Sequence, residues 1–254
     1  VMKWSSTKKK IISKNKAWVD FWLNAIALVR DDNQCKLFHT WNANFHQERI
    51  VRLQKIVSKE YEKLNPWVHK KWDKLVSNWK IRYLMKIINC LRRKQAMKHK
   101  CEINQLTKEI LAFAWELISE EMDFSKIRQS KEYKGLAKII QFCTPWLLKS
   151  KLEENVELKY VDKYNYKASQ YNHVTDEYIK PKLSERTKKI WDTLIQRDLY
   201  SAYLLLNHNE DLKGIDRKKC IENFNTFLTK HNQLISKLKE EKEKYPQSFW
   251  LDNF

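Results

Sequence analysis

The sequence predicts an α/β fold in which a helical insertion interrupts a set of buried strands. Short apolar segments bounded by turn residues are typical of buried strands, and they occur at 17–29, 35–40, 116–120 and 156–164. Between the second and the third of these segments, apolar residues recur every three or four positions, which is typical of helices. The chain has 254 residues, of which 43% are hydrophobic, so it can bury a substantial core.

The N-terminal part is expected to form a hairpin after a basic lead-in at 1–16. Residues 17–29 are mostly apolar with an embedded aspartate, and they predict one buried strand. The Asp-Asp-Asn sequence at 31–33 is a turn signal that separates this strand from a second one at 35–40.

Helical periodicity dominates the insertion at about 43–114. A first helix is expected from about 43 to 63, and the Asn-Pro pair at 65–66 ends it. A second helical region is expected from about 73 to 114, followed by the strand at 116–120. Beyond that strand, the pattern predicts a helix at 134–151, a strand at 156–164, an irregular polar segment at 165–190, and helices at 194–206 and 216–243.

The charge balance predicts a polyanionic partner. The 50 lysine and arginine residues outnumber the 31 acidic residues, for a net charge of +19. Nucleic acid is the first candidate, although charge alone does not distinguish DNA from RNA or from an anionic membrane surface. The run of cations on the second helical region either contacts phosphates or is an ordinary solvated face. Candidate nucleic-acid-binding residues are Arg92, Arg93, Lys94, Lys98 and Arg197.

The sequence contains neither a bilayer-spanning apolar segment nor, within 1–16, the apolar region of a secretory signal. The five cysteines are scattered, and none forms the C-x-x-C spacing of a zinc site or a redox motif. We therefore expect a cytoplasmic protein with reduced thiols and no membrane partner.

Three acidic residues lie in or beside apolar segments: Asp20, Glu120 and Asp198. A buried carboxylate is costly unless it is paired, so each is a candidate for a binding role. Each also has an ordinary explanation, since the first two fit solvated strand ends and the third fits the N-terminus of a helix. Brought together, three carboxylates would suit Mg²⁺, and a pair of such ions stabilises both the attacking and the leaving oxygen of a phosphodiester. Spacing alone does not establish that they converge.

Several segments resemble TnpB-type transposon proteins, in the order found in that family. Residues 196–205 (QRDLYSAYLL) resemble the third RuvC motif, which has the form QRDLYSAFL in the family. Residues 167–186 are similar to the stretch that precedes this motif in the family. Residues 118–124 (ISEEMDF) resemble the second motif. Residues 18–27 (WVDFWLNAIA) resemble the first motif, which is GIDIG followed by a short apolar strand.

The register of this resemblance assigns the catalytic, metal-binding carboxylates of the family to Asp20, Glu120 and Asp198, and chooses Glu120 over its neighbour Glu121. The resemblance implies an RNase H-like (RuvC) mixed sheet over 17–254, with the helical insertion between the first and second motifs. It also implies cleavage of DNA with two Mg²⁺ (or Mn²⁺) ions, guidance by a transposon-derived RNA in full-length relatives, and a prokaryotic, nucleoid-associated transposase.

Two departures from the family alter these expectations. Relatives carry a guide- and target-binding region before the first motif, whereas about 20 residues precede it here, so we expect a nuclease core without RNA-guided targeting. Relatives also carry a cysteine-rich zinc ribbon between the second and third motifs. Residues 165–193 contain no cysteine and are expected to be a degenerate ribbon without zinc, in which His173 is an ordinary histidine.

A third departure is that tryptophan stands where the family has glycine, in a chain with 2 glycines and 11 tryptophans. Trp18 and Trp22 take the two glycine positions of the first motif. Three more tryptophans stand at further glycine positions: Trp115 before the strand of the second motif, Trp146 after Pro145, and Trp191 in the turn before the third motif. Indoles there would crowd the metal site, so an impaired nuclease or a non-catalytic nucleic-acid-binding remnant is the alternative. The pattern also suggests UGA codons that are read as glycine. Composition alone favours a third class, a basic, helical, Trp-rich interaction protein.

Overall fold

The computed structural model of the protein describes residues 15–21, 25–39, 46–66, 76–121, 145–161, 166–182, 185–209 and 214–240. The chain divides into two units: Val1–Thr40 with Gln105–Phe254 form the first, and Trp41–Asn104 form the second. Some sequence predictions fall outside the described residues. They concern most of the lead-in, Trp22, the end of the second motif at 122–124, and the helix expected at 134–144.

A five-stranded mixed sheet forms the centre of the first unit. Its strands lie in the order β3-β2-β1-β4-β5. β2 runs antiparallel to both β1 and β3, whereas β4 is parallel to β1 and β5 is parallel to β4. This sheet, together with the helices around it, confirms the predicted α/β class. The strand bounds are Lys16–Phe21 (β1), Ala25–Arg30 (β2), Cys35–His39 (β3), Glu116–Glu120 (β4) and Glu157–Val161 (β5).

The prediction of a single strand over 17–29 is wrong, because this segment contributes both β1 and β2. Phe21 of β1 lies opposite Ile26 of β2, so the chain reverses direction between them. Both strands bury most of their side chains, on both faces of the sheet. Two adjacent, fully buried strands have the same apolar pattern as one long strand, which is why the reversal was missed.

Two helices cover the sheet. Helix α4 (Arg197–Leu206) packs against β1 and β2, and helix α5 (Arg217–Glu240) packs against β3 and α4. A short helix, α3 (Pro145–Glu153), lies against β5. The described range of α3 begins at Pro145, and the part of the predicted helix before it lies outside the described residues.

The segment predicted to be irregular, 165–190, contains one small hairpin and the first strand of a second. β6 (Tyr171–Asn172) pairs with β7 (Glu177–Tyr178), and β8 (Thr187–Ile190) pairs with β9 (Thr193–Gln196). The prediction of one helix over 194–206 is therefore wrong at its start. Its first three residues belong to β9, because the turn after Ile190 returns the chain along β8, and α4 begins only at Arg197.

The second unit contains helix α1 (Gln47–Leu64) and the larger part of helix α2 (Trp79–Phe113). Asn65 ends α1, and its side chain exchanges two hydrogen bonds with the backbone of Val76, which fixes the connection to α2. None of the described helices combines the length and the apolar character needed to cross a bilayer. The apolar contact between α1 and α2 is made by Ile50, Val57, Ile81, Ile88 and Leu91.

Candidate active site

The three carboxylates predicted from the sequence lie on adjacent elements of the first unit. Asp20 is in the central strand β1, and Glu120 ends the neighbouring parallel strand β4. Val19 pairs with Ser119, so the next residue of each strand, Asp20 or Glu120, follows in register on the same face of the sheet. Asp198 is in the first turn of α4, the helix that packs on β1 and β2.

The electrostatic surroundings of Asp20 include both of the other carboxylates. Burial raises the pKa of Asp20 well above its ordinary value, and the negative charges of Asp198 and Glu120 raise it further. Arg197 and the nearby hydroxyl of Ser201 lower the pKa of Asp20, against these effects. Asp198 and Glu120 thus disfavour the ionised form of Asp20, and a divalent ion bound among these side chains would relieve that repulsion.

Gln196 fixes the position of Asp198. It is the N-cap residue of α4, and its side-chain oxygen accepts a hydrogen bond of 2.7 Å from the backbone N–H of Leu199. The amide nitrogen of the same side chain donates to Oδ2 of Asp198 at 3.0 Å. The backbone N–H of Gln196 donates to Nε2 of His231 on α5 at 3.1 Å. One fully buried side chain therefore caps the helix and orients the carboxylate.

Arg197 differs from the other predicted nucleic-acid-binding residues because it is buried. Its Nη1 donates to the backbone carbonyls of Lys182 and Glu185 at 3.3 and 2.6 Å, and its Nε lies 3.7 Å from Oδ1 of Asp198. In this conformation the guanidinium anchors the segment before β8 and balances the charge of Asp198, instead of facing a nucleic acid.

Glu120 and Glu121 have different surroundings. The Oε1 atom of Glu120 accepts a hydrogen bond of 3.2 Å from the backbone N–H of Ala168, and its side chain is partly buried. Glu121 is exposed, and its backbone N–H donates to the carbonyl of Val161 at 3.3 Å. Of the two glutamates, only Glu120 contributes to the raised pKa of Asp20, which agrees with the register that the family resemblance assigns.

The chemistry of these donors fits a hard divalent cation, because Mg²⁺ and Mn²⁺ prefer carboxylate oxygens. As the side chains stand, however, no three acidic, histidine or cysteine residues within the described ranges are close enough to hold one ion together. Oδ2 of Asp198 and Oε1 of Glu120 each accept a hydrogen bond from the protein. Metal binding therefore requires the carboxylates to approach one another more closely than they do as the side chains stand. A carboxylate can accept a hydrogen bond from the protein and still bind a metal ion, because its two oxygens offer about four acceptor positions.

His173 is the centre of an aromatic cluster on another side of α4. Its ring is fully buried, its Nδ1 lies 2.7 Å from the hydroxyl of Tyr200, and its centroid is 4.9 Å from that of Phe224. Burial lowers the pKa of His173 to about 4, so the ring is neutral near pH 7. The rings of Trp191 and Phe224 pack edge to face, with their centroids 4.9 Å apart. Aromatic packing thus joins the two hairpins to α4 and α5 in the region where the resemblance implies a zinc ribbon.

The remaining candidate nucleic-acid-binding residues lie on α2 in the second unit. All four side chains are exposed, and Lys98 is 3.7 Å from Glu102. An exposed row of cations on a helix suits contact with phosphates and is equally compatible with a solvated face. These residues are Arg92, Arg93, Lys94 and Lys98.

Sequence reasoning assigned no role to three residues beside the carboxylates: Gln196, Ser201 and Arg186. The signal for Gln196 was available, because a polar residue directly before an apolar helix occupies the N-cap position. No local pattern identified Ser201 or Arg186, since each reaches the carboxylates through tertiary packing.

The comparisons with known proteins add no family assignment to this geometry. A scan against models of protein families matches none of them, and a search of curated proteins finds no match to the chain.

Proposed function

We propose that this chain is the RuvC-like nuclease core of a TnpB-type transposon protein, and that it cleaves DNA phosphodiester bonds with divalent metal ions. The observation that carries the proposal is the convergence of Asp20, Glu120 and Asp198 from two adjacent parallel strands and the helix that covers them. The sequence resemblance named these same three positions independently of the structure.

The topology of the sheet supports an RNase H-like fold. All five strands run in one direction except β2, and the central strand β1 carries the first carboxylate. The second carboxylate ends the strand next to it, and α4 supplies the third. A mixed sheet with catalytic groups on its central strands is the arrangement that the resemblance implies.

The roles of the residues follow from their positions. Divalent ions, when bound, would activate the attacking water and stabilise the leaving oxygen of the phosphodiester. Asp20, Glu120 and Asp198 would hold those ions through their carboxylate oxygens. Gln196 keeps Asp198 oriented from the N-cap, and burial of the site strengthens each electrostatic interaction within it.

Cleavage of single-stranded DNA in Mg²⁺ or Mn²⁺ tests the proposal. Asp20→Asn and Asp198→Asn should each lower the rate by about 100-fold or more, because loss of a metal ligand removes several kcal/mol of transition-state stabilisation. Glu120→Gln and Glu121→Gln form a matched pair, in which only the first substitution should abolish cleavage. Equal losses in that pair, or cleavage that persists in EDTA, would contradict the proposed site.

A non-catalytic nucleic-acid-binding remnant is the second candidate. It is favoured by the buried Trp18, two residues from Asp20 in the same strand. It is also favoured by the spacing of the carboxylates, since no three such residues within the described ranges are close enough to hold one ion. Salt-sensitive binding of DNA or RNA, without cleavage in either metal, would select this alternative. Full-length relatives are proposed to use a guide RNA, and a comparison of single-stranded DNA with RNA as ligand addresses that partner.

A further inference from the structure

Lys167 lies in a turn that contacts the carboxylate site directly. The next residue, Ala168, donates its backbone N–H to Oε1 of Glu120 at 3.2 Å. The carbonyl of Lys167 accepts hydrogen bonds from the backbone N–H groups of Gln170 and Tyr171 at 2.8 and 3.2 Å. The backbone of Lys167 is left-handed, with a φ of 43°, which a residue with a Cβ keeps only where its surroundings fix it. These hydrogen bonds hold an exposed lysine beside Glu120.

Lys182 lies in a second turn, which is bonded to the residue before Asp198. The carbonyl of Lys182 accepts a hydrogen bond of 3.0 Å from the N–H of Glu185, and its own N–H donates to Oε2 of Glu185 at 3.3 Å. Nη1 of Arg197 donates to the carbonyls of Lys182 and Glu185 at 3.3 and 2.6 Å. The Nε atom of the same guanidinium lies 3.7 Å from Oδ1 of Asp198. One side chain therefore joins this turn to the third carboxylate.

Both ammonium groups are available to an anion outside the protein. The side chains of Lys167 and Lys182 are exposed, and neither has an ion-pair partner among the described residues. Glu185, the acid nearest to Lys182 in the sequence, accepts from the backbone of Lys182 instead. Lys189 of the same unit, by contrast, lies 3.5 Å from Asp192.

A polyanionic strand that approaches the carboxylates is repelled by their charges. Cations beside Asp20, Glu120 and Asp198 are needed to offset that repulsion before a phosphodiester can lie next to them. Arg197 does not meet this need, because it is buried and donates to carbonyls of the protein. The exposed lysines in the two turns bonded to the site are cations that a strand can reach.

We propose that Lys167 and Lys182 bind backbone phosphates of a single strand of DNA, one beside Glu120 and the other beside Asp198. Lysine meets phosphate as a point charge, so these contacts position the strand without reading its sequence. The choice of DNA as the ligand rests on the proposed nuclease function. The phosphate contacts themselves do not depend on a bound metal ion.

Binding of fluorescent oligothymidylate to the full chain in EDTA tests these contacts without cleavage. Lys167→Gln and Lys182→Gln should each lower the slope of log Kd against log salt by about one, because one phosphate contact is lost. A contact of that slope is worth roughly tenfold between about 1 M and about 0.1 M salt, so the Kd at the lower concentration should rise by roughly tenfold. Lys167→Arg and Lys182→Arg, which keep the charge, should bind like the wild type.

Lys189→Gln is the matched control. Lys189 is an exposed residue of β8 that lies opposite Leu194, toward the turn of the hairpin and away from the end next to Arg197. Its substitution removes the same charge and should change the slope by much less than one. Equal changes in all three glutamine variants would overturn the proposal, because the net charge alone would then attract the strand.

Acetylation of the wild-type protein gives a second measurement that needs no variant. Oligothymidylate at about ten times its Kd leaves roughly one protein molecule in ten free, so acetylation of Lys167 and Lys182 by acetic anhydride should slow by roughly tenfold. Lys189 should react at the same rate with and without the oligonucleotide. Peptide mass spectrometry reads all three rates, and unprotected Lys167 and Lys182 would overturn the proposal.

The outcomes separate this strand-binding site from the proposed function. Binding that depends on both lysines, in a protein that cleaves no DNA in Mn²⁺, would overturn the nuclease proposal and leave the site in place. Cleavage that Asp20→Asn abolishes, with unchanged binding in both lysine variants, would support the nuclease and overturn the lysine contacts. Tighter binding of oligouridylate than of oligothymidylate, through the same lysines, would overturn DNA as the ligand.

Discussion

Helix α4 is buried on two sides that differ in chemistry. One side carries Asp198 and Ser201 toward Asp20, among charges that repel or attract each other. The other side carries Tyr200 and Tyr203 toward the rings of an aromatic cluster, defined here as His173, Trp191, Tyr200, Tyr203, Phe224 and Phe227. The first side depends on ions and protonation, whereas the second depends mainly on apolar contact.

The difference between the two sides of α4 explains how the helix keeps mutually repelling carboxylates in place. Tyr203 stacks on Phe227 with centroids 4.2 Å apart, and its hydroxyl donates to the carbonyl of Cys220 on α5. Packing of this kind fixes α4 without using any charge from the carboxylate side. The aromatic side should therefore determine folding stability, and the carboxylate side should determine the response to metal.

The largest effect is expected from Phe224→Ala. Phe224 contacts His173, Trp191 and Tyr203, so its removal should lower the free energy of unfolding by about 3–5 kcal/mol. Urea denaturation measures this loss, with the exposed Tyr178→Ala as control. The loss should be the same in EDTA and in Mn²⁺. A loss that Mn²⁺ removes would show that the two sides of α4 are not independent.

Acid should weaken the aromatic side through His173. Its pKa is about 4 in the folded protein and ordinarily 6.5. Between these values the unfolded chain binds a proton that the folded chain does not. The free energy of unfolding should therefore fall as pH falls from about 6.5 to about 4, by up to about 3 kcal/mol. Below that range no further loss from this residue is expected.

The difference between His173→Gln and its parent isolates this effect. Burial also lowers the pKa of His231, which acts in the same direction, and the raised pKa of Asp20 acts in the opposite direction. Both the parent and His173→Gln are therefore compared in an Asp20→Asn background, which removes the contribution of Asp20 from each. Urea denaturation from pH 4 to pH 7 should then give a flatter profile for His173→Gln, and identical profiles would contradict the assignment.

An intermediate effect is expected from Gln196→Ala, which affects both sides of the comparison. Loss of the N-cap should cost about 1 kcal/mol of stability, and Asp198 should lose its orienting donor. Affinity for Mn²⁺ should fall by about tenfold, as measured by titration calorimetry. Gln105→Ala, which removes only an exposed bond to Glu109, should change neither quantity. A loss of stability without any change in Mn²⁺ affinity would show that Gln196 caps the helix but does not orient Asp198 for metal binding.

Local patterns predicted the helical insertion and the strand that ends at Glu120, because apolar periodicity and turn residues are properties of neighbouring positions. They missed the boundary between β9 and α4. Leu194 and Ile195 fit the helical spacing of the residues after them, but they are paired with β8. They also missed the burial of His173, since its partners Tyr200 and Phe224 are distant in sequence. Convergence of the carboxylates was predictable only from the family resemblance.

The smallest effect on stability, and the most specific effect on binding, is expected from Lys94→Gln on α2. Lys94 is exposed, so its substitution should leave the free energy of unfolding unchanged. If Lys94 contacts a phosphate, the slope of log Kd against log salt for single-stranded DNA should fall by about one. Lys189→Gln, an exposed substitution in β8, controls for the general loss of charge. Equal changes in both variants would mean that the net charge of the protein attracts nucleic acid without a defined contact on α2. A change confined to the Lys94 variant would show that the nucleic-acid-binding surface includes α2 of the second unit. That surface would then be distinct from the residues proposed for cleavage.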